Sequence, residues 1–335
     1  MSKTILIITD NVPDQINGVV TTFKNLEDLA DRDGYRVAYV DPSQFPNVAC
    51  PGYAEVRLCW PHGISKKIKA LRPDFIHIAT EGPVGFFARW WCERNHIPYN
   101  TSYHTDFAKF LKRMYHVPES WTWWYLRWFH KHSQRVLVTT ASIEHELINR
   151  GFENLQVWTR GVDRTYFSSS LRSGSNVRPV LLSVGRVSRE KGLDDFCRLD
   201  MPWCHKIIVG DGPYRRELER QYPGVEFVGA KKGLELASYY AQADVFVFAS
   251  RADTFGVVNI EALACGTPVA AYPVPGPIDI VESGVTGYLD WNLAHAVERC
   301  LTLDRDQVEQ ASLRWTWNAC WRIFRDNLVE VNRAQ

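Results

Sequence analysis

Two carboxylates and two cations occupy positions where an α/β chain does chemistry. Asp253 and Glu261 fall in Ser250-Arg251-Ala252-Asp253-Thr254-Phe255-Gly256-Val257-Val258-Asn259-Ile260-Glu261, with Phe255 and Gly256 between them. The apolar run Val245-Phe246-Val247-Phe248-Ala249 just before reads as a buried parallel strand, and the pattern from Gly256 to Gly266 reads as a helix. Asp253 therefore lies beyond the carboxyl end of a strand, where open α/β sheets receive ligands. Glu261, on the helix that follows, suits a pair of ribose hydroxyls, and backbone N–H groups at a helix start favour anions. The same pair also fits a solvated loop and a surface helix, and spacing alone does not separate the two readings. Arg186 and Lys191 follow the strand Pro179–Val184 and bring two positive charges to the same kind of edge. Fixed cations there can stabilise a departing nucleoside diphosphate in place of a metal ion, although as isolated residues they equally suit a surface. Gly210-Asp211-Gly212-Pro213 closes a further strand.

The first half of the chain carries a similar set. Gly18 stands where a polar loop meets the helix Val19–Ala30, and lacks a side chain that would block backbone N–H groups from a phosphate. An ordinary turn glycine is the alternative. The strand Phe75–Ala79 leads to Thr80-Glu81-Gly82-Pro83, and the strand Pro98–Ser102 leads to Tyr103-His104-Thr105-Asp106-Phe107. His104 is placed for proton transfer or hydrogen bonding, with Glu81 or Asp106 available to bind hydroxyls or orient the imidazole. A structural histidine is the competing reading.

These residues need two parallel sheets to hold them. At 335 residues the chain exceeds the size at which one core stops growing, so two domains of about 150 residues each are expected. The polar span Ser168–Arg178 is the best linker candidate. The expected organisation is a first domain over 1–170, a linker over 171–178, a second domain over 179–310, and C-terminal helices over 311–335. Trp315, Trp317 and Trp321 recur at near-helical spacing and read as a packing stripe that docks those helices across the domain junction.

Composition excludes several classes. A net charge of +1 gives no reason to expect nucleic acid. No apolar run is long enough to span a bilayer, and Met1-Ser2-Lys3-Thr4 leads straight into a strand, so no signal peptide is expected. The 8 cysteines lack paired ligand spacing, which implies free thiols, a reducing cytoplasmic compartment and no zinc. The two Asp-x-Asp spacings, Asp31-Arg32-Asp33 and Asp304-Arg305-Asp306, follow no strand and no metal site is expected, and no Gly-x-Gly-x-x-Gly follows the first strand, which disfavours a NAD-binding protein. The segment 107–135 is different, because Trp121-Thr122-Trp123-Trp124-Tyr125-Leu126-Arg127-Trp128-Phe129-His130-Lys131 interleaves aromatic and basic side chains. Such a helix suits an anionic membrane surface, while packing on the domain core or lining an acceptor groove are the alternatives. On the membrane reading, neutralising Lys109, Lys112, Arg113 and Lys131 together weakens binding to anionic vesicles.

Several of these pieces, in shared order, resemble the retaining glycosyltransferases of family 4. They are Asn17-Gly18-Val19, Ser102-Tyr103-His104-Thr105-Asp106-Phe107, Arg160-Gly161-Val162-Asp163, Val184-Gly185-Arg186 with Lys191-Gly192, Gly210-Asp211-Gly212-Pro213 and the Asp253–Glu261 stretch. The likeness runs from Lys3 to the C-terminal helices and is greatest to bacterial GDP-mannose-dependent mannosyltransferases and to glycosyl- and sulfoquinovosyl-diacylglycerol synthases. It implies an α/β GT-B fold, two Rossmann-like domains facing a cleft, with the C-terminal helices crossing back to the first. It implies that Arg186 and Lys191 hold the donor diphosphate, Glu261 the ribose, and that Gly18 lies near the phosphates. Gly212, Phe255 and Gly256 complete the implied donor site, and His104 meets the transferred sugar. The family usually has a glutamate where this chain has Asp253, one methylene shorter, a hint about the donor sugar. The implied activity is metal-independent transfer of a hexosyl group (mannose, glucose or glucuronic acid), with retention, from a GDP- or UDP-linked sugar to a hydroxyl acceptor. A membrane lipid such as diacylglycerol is the expected acceptor, at the inner face of the cell membrane. A soluble or polysaccharide acceptor, or a nucleotide-sugar epimerase of the same fold, are the alternatives. Monomer and homodimer both remain open.

Overall fold

The computed structural model describes residues 2–15, 18–50, 53–104, 108, 111–112, 116–251 and 253–331. The chain divides into two compact units, residues 1–160 with 317–335, and residues 161–316.

The first unit is built on the strands β1 (Lys3–Ile8), β2 (Tyr35–Val40), β5 (Phe75–Ile78), β6 (Asn100–Tyr103), β7 (Val136–Val138) and β8 (Leu155–Val157). A hairpin of β3 (Asn47–Cys50) and β4 (Tyr53–Cys59) stands apart from that sheet, in the region where prolines break the sequence pattern. All pairings of the main sheet are parallel, in the order β2-β1-β5-β6-β7-β8. Helices cover both faces of such a sheet, which is why Ile5, Leu6, Ile7 and Ile8 are all buried and β1 reads as an unbroken apolar run. The helix Gly18–Arg32 lays Phe23, Leu26 and Ala30 on one face of the sheet. The helices Pro83–Arg94 and Glu119–His130 bury Ala88, Trp91 and Phe129 on the other.

The second unit repeats the scheme with β9 (Val180–Val184), β10 (His205–Val209), β11 (Val225–Gly229), β12 (Val245–Phe248), β13 (Val269–Ala271) and β14 (Gly287–Leu289). Their order is β11-β10-β9-β12-β13-β14, again all parallel. Each sheet thus has a point where strand order reverses, β1/β5 in one and β9/β12 in the other, and ligands of such sheets bind outside the carboxyl ends there.

The expected linker is not a free connection. Arg172 donates to the carbonyls of Ala241, Gln242 and Ala243 at 3.0–3.3 Å and pairs with Asp244 at 2.6 Å. Asn176 adds bonds of 2.7 Å to Gln242 and Asp244. Polar residues here bind the carbonyl end of a helix, the negative end of its dipole, so 171–178 belongs to the second unit and the division falls at Arg160/Gly161. The tryptophan stripe is also split. Trp315 meets Phe255 in the second unit, ring centroids 5.6 Å apart, whereas Trp321 meets Tyr35 at 5.7 Å in the first. The reason is a break in the helix before Trp317.

The C-terminal helix Trp317–Asp326 does return to the first unit. It buries Cys320, Trp321 and Phe324 beside Ile5, Ile7, Phe23 and Trp158. Trp321 Nε1 donates to Asp33 at 2.7 Å, and Val331 N donates to the Asp74 carbonyl at 2.7 Å.

Candidate functional site

At the reversal point of the second sheet, the loops leaving β9 and β12 touch. The turn Arg189–Lys191 ends at Gly192, whose φ of +65° suits a residue without a side chain; a Cβ there would stand 2.5 Å from the Ala249 carbonyl. That close approach brings Lys191 Nζ to 2.6 Å from Asp253 Oδ1. Burial alone would raise the Asp253 carboxyl, but the Lys191 charge and the hydrogen bonds of Lys191 and Ser250 outweigh it and hold the group below its ordinary range. Arg186 is half-buried in the loop after β9.

Gly256 has φ +79° at the start of the helix Val257–Ala264, and no Cβ fits beside Asn259 and Phe248. The helix then carries Glu261 just over one turn on, where its Oε2 accepts from the Tyr240 hydroxyl at 2.9 Å. Burial pushes the Glu261 carboxyl up to about 7, against the opposing hydrogen bond from Tyr240. One more residue holds this geometry. Arg305 donates to the carbonyls of Ala243 (2.7 Å), Ala241 (2.9 Å) and Cys265 (3.3 Å) and to Thr267 Oγ1 (3.0 Å). It thereby ties the carbonyl end of the helix Gly233–Gln242, which carries Tyr240, to that of the helix carrying Glu261.

Two residues of the expected donor site serve packing. The Phe255 side chain is core, edge-on to Trp315, because the chain turns inward before Gly256. Around Gly212 the loops after β9 and β10 are zipped together, with Val187 N donating to the Asp211 carbonyl at 2.9 Å and Tyr214 N to the Val187 carbonyl at 3.1 Å.

In the first unit, His104 lies past the end of β6, half-buried among Phe23 and Trp158. Its Nδ1 accepts from Arg160 Nη2 at 2.9 Å and its Nε2 meets Ser102 Oγ at 2.7 Å. Burial, then the charge of Arg160, then the nearby His77 and His130, hold this imidazole well below the usual histidine range. Glu81 does not orient it. That carboxylate turns to the other side of the sheet, where Oε1 lies 3.4 Å from His130 Nε2. Asp106 is outside the described residues, as are Lys109 and Arg113, and Lys112 pairs with Glu119 at 2.8 Å. Gly18 is the first residue of its helix, and among the described residues nothing outside its own stretch of helix lies within 4 Å of where a Cβ would stand.

Sequence reasoning gave no role to Asp10 or Tyr240, and named Arg160 only as part of a shared motif. Asp10 follows β1 directly, so its place at the carboxyl edge was available as a signal. Its carboxylate accepts from the Thr80 hydroxyl and Val84 N, both at 2.7 Å, and so caps the helix Pro83–Arg94. Burial pushes it up to about 6.

Comparison with known proteins bears on this arrangement. Residues 16–166 match the model of Glycosyltransferase Family 4, and residues 178–303 match Glycosyl transferases group 1. The chain is 31% identical over 328 residues to the GDP-mannose-dependent alpha-mannosyltransferase of Mycobacterium tuberculosis, covering 90% of this chain and 83% of that protein. The chain belongs to this glycosyltransferase family. It is also 31% identical to the sulfoquinovosyl transferase SQD2 of Arabidopsis thaliana, over 88% of this chain but only 61% of that protein's length. Identity to the alpha-monoglucosyldiacylglycerol synthase of Streptococcus pneumoniae is 25%, over 90% of this chain and 79% of that one. Among solved structures, the sucrose-phosphate synthase of Thermosynechococcus elongatus superposes with a TM-score of 0.77 at 20% identity, covering 97% of this chain and 98% of that one. The two parallel sheets are accordingly the Rossmann-like halves of a family 4 glycosyltransferase with the GT-B fold.

Proposed function

We propose that this glycosyltransferase moves a hexosyl group from a nucleoside-diphosphate sugar to a hydroxyl acceptor, without a metal ion and with retention at the anomeric carbon. The observation that carries the reading is the pairing of Lys191 with Asp253 at the reversal point of the second sheet, with Glu261 on the helix that follows. Lys191, with Arg186 in the same loop, supplies the charge that a departing diphosphate requires. Glu261, with Oε2 already bound to Tyr240, offers its remaining acceptor capacity to a ribose diol. In this reading the leaving phosphate takes the acceptor's proton, and no carboxylate acts as a nucleophile as one does in retaining glycosidases.

Glu261 gives the reading a pH signature. Because burial in the fold pushes its carboxyl up to about 7, it is protonated and a poorer acceptor at lower pH. If the carboxylate is the binding form, donor affinity rises about tenfold between about pH 6 and 8. Tyr240→Phe removes a hydrogen bond that favours the carboxylate and moves the transition to higher pH. Calorimetric titration of donor across that range checks both, and an affinity independent of pH would remove Glu261 from the ribose.

For the acceptor we propose a lipid hydroxyl at an anionic membrane surface, a reading supported by the name of the diacylglycerol synthase among the relatives. Among the described residues no helix is long and apolar enough to cross a membrane. The helix Glu119–His130 divides its aromatics, with Trp123 buried against Tyr103 and Trp121 and Trp124 exposed to 71% and 64%. Arg127 and Lys131 continue the exposed side. Indole rings beside cations suit the headgroup layer. Trp121→Ala with Trp124→Ala is expected to weaken sedimentation with phosphatidylglycerol vesicles while leaving donor affinity unchanged; undiminished binding would end the membrane reading.

The donor is tested by thermal stabilisation and hydrolysis across UDP-, GDP- and ADP-sugars, with and without diacylglycerol vesicles. Turnover of one donor only with lipid supports the reading. Turnover without any lipid effect favours a soluble acceptor, and no response to any donor overturns the proposal.

A further inference from the structure

Arg160 is 4% exposed, and among the described residues no carboxylate pairs with it. Its Nη1 donates to the carbonyls of Trp158 at 2.8 Å and Thr159 at 3.0 Å, and its Cζ lies 4.3 Å from the centre of the Trp158 ring. The Nη2 group donates to His104 Nδ1 at 2.9 Å. A guanidinium has donors and no acceptor. His104 Nδ1 therefore carries no proton, and the neutral ring holds its single proton on Nε2. That proton points at Ser102 Oγ, 2.7 Å away. The serine hydroxyl in turn faces His77 Nε2 at 3.0 Å and the Ala79 carbonyl at 3.4 Å. A directed array results, Arg160 to His104 to Ser102, beside His77, which is fully buried.

The array is expensive to build. Burying a guanidinium without a carboxylate partner is unfavourable, and here the charge is aimed at an imidazole, where it opposes a second positive charge. Among the described residues the other titratable groups acting on His104 are His77 and His130, and His130 is itself beside Glu81. Among the described residues no carboxylate pairs with Arg160, and its hydrogen bonds to Trp158 and Thr159 would be met as well by water or a neutral donor.

We propose that Arg160 is a positioning residue for His104: it fixes the imidazole as the neutral Nε2–H tautomer and so excludes it from general acid or base work. The consequence is a histidine that serves glycosyl transfer by shape and by a hydrogen bond of fixed polarity. The kinetic part of this inference rests on the glycosyl-transfer reading; the tautomer does not.

The test is the imidazole 15N spectrum of the full-length protein between about pH 5 and 8, the window in which ordinary histidines titrate. The His104→Gln protein assigns the signals. Expected in the natural protein are an unprotonated Nδ1 and a protonated Nε2 for His104, constant across the window. Arg160→Met, with neither charge nor donor, should let His104 titrate there, lower kcat about 10- to 100-fold and add an acid limb to its pH profile. Arg160→Lys should restore the constant tautomer and much of kcat. A His104 that titrates normally in the natural protein overturns the proposal, and so does an Arg160→Met protein with unchanged tautomer and pH profile. Should Arg160→Met fail to fold, the natural protein's spectrum decides alone. A locked tautomer without turnover of any donor would overturn the glycosyl-transfer reading and leave the role of Arg160 standing.

Discussion

Replacing Lys191 with alanine is expected to lower kcat/KM for the donor by about 100- to 1,000-fold, the scale on which removing one fixed transition-state partner is felt. Two losses coincide. The cation that would face the departing diphosphate disappears, and Asp253, only 23% exposed at its side chain, loses the partner 2.6 Å away that keeps it ionised. Comparison with Asp253→Asn and the double variant separates them. If Lys191 acts only by holding Asp253, the double variant is no worse than either single one; if it acts on the donor directly, the losses are closer to additive. Steady-state transfer assays with labelled donor read the result. A Lys191→Ala rate within about threefold of the natural one would place the charge stabilisation elsewhere.

Arg305→Ala is expected to destabilise the second unit by about 3 kcal/mol, since it strips a charged donor from acceptors that water does not fully reach. The Arg305 guanidinium serves three carbonyls and the Thr267 hydroxyl at the joined ends of two helices. Arg172 shares the Ala241 and Ala243 carbonyls, so the Arg172→Ala and Arg305→Ala losses should not add. Urea unfolding followed by far-ultraviolet circular dichroism gives the shift in midpoint. Because Arg305 also sets the spacing of Tyr240 and Glu261, KM for the donor should rise in the folded fraction; an unchanged KM would mean that the two helices keep their register by apolar packing alone.

Which parts of this site can be read from the chain follows from distance along it. Strands such as Val245–Phe248 announce themselves because both faces are covered and every residue is apolar. Since ligands of parallel sheets gather at the carboxyl ends, Lys191, Asp253, Glu261 and His104 could be singled out as residues just past such strands. Partnership is another matter. His104 is satisfied by Arg160 and Glu261 by Tyr240, neighbours only after folding, and no local spacing encodes those pairs. Nearby acidic residues were the natural guess for orienting His104, yet Glu81 turns away to His130. Phe255 misleads for a related reason, since an aromatic residue in a motif reads as a ligand contact until its burial against Trp315 is known. The polar span Ser168–Arg178 misleads in the opposite direction. Serines and arginines look solvated in sequence, whereas Arg172 and Asn176 are committed to helix carbonyls.

The return of the helix Trp317–Asp326 to the first unit bears on how the protein is made. Ribosomes deliver the chain from the N-terminus at about 5–20 residues per second, so β1 to β8 emerge with one wall of their core missing. Ile5, Ile7, Phe23 and Trp158 must wait for Cys320, Trp321 and Phe324, which arrive only after the entire second unit has been translated. During that interval the second unit, contiguous in sequence, has every residue it needs. The half encoded first is therefore the half completed last, and a nascent chain stalled before Trp317 should expose an apolar face that chaperones recognise.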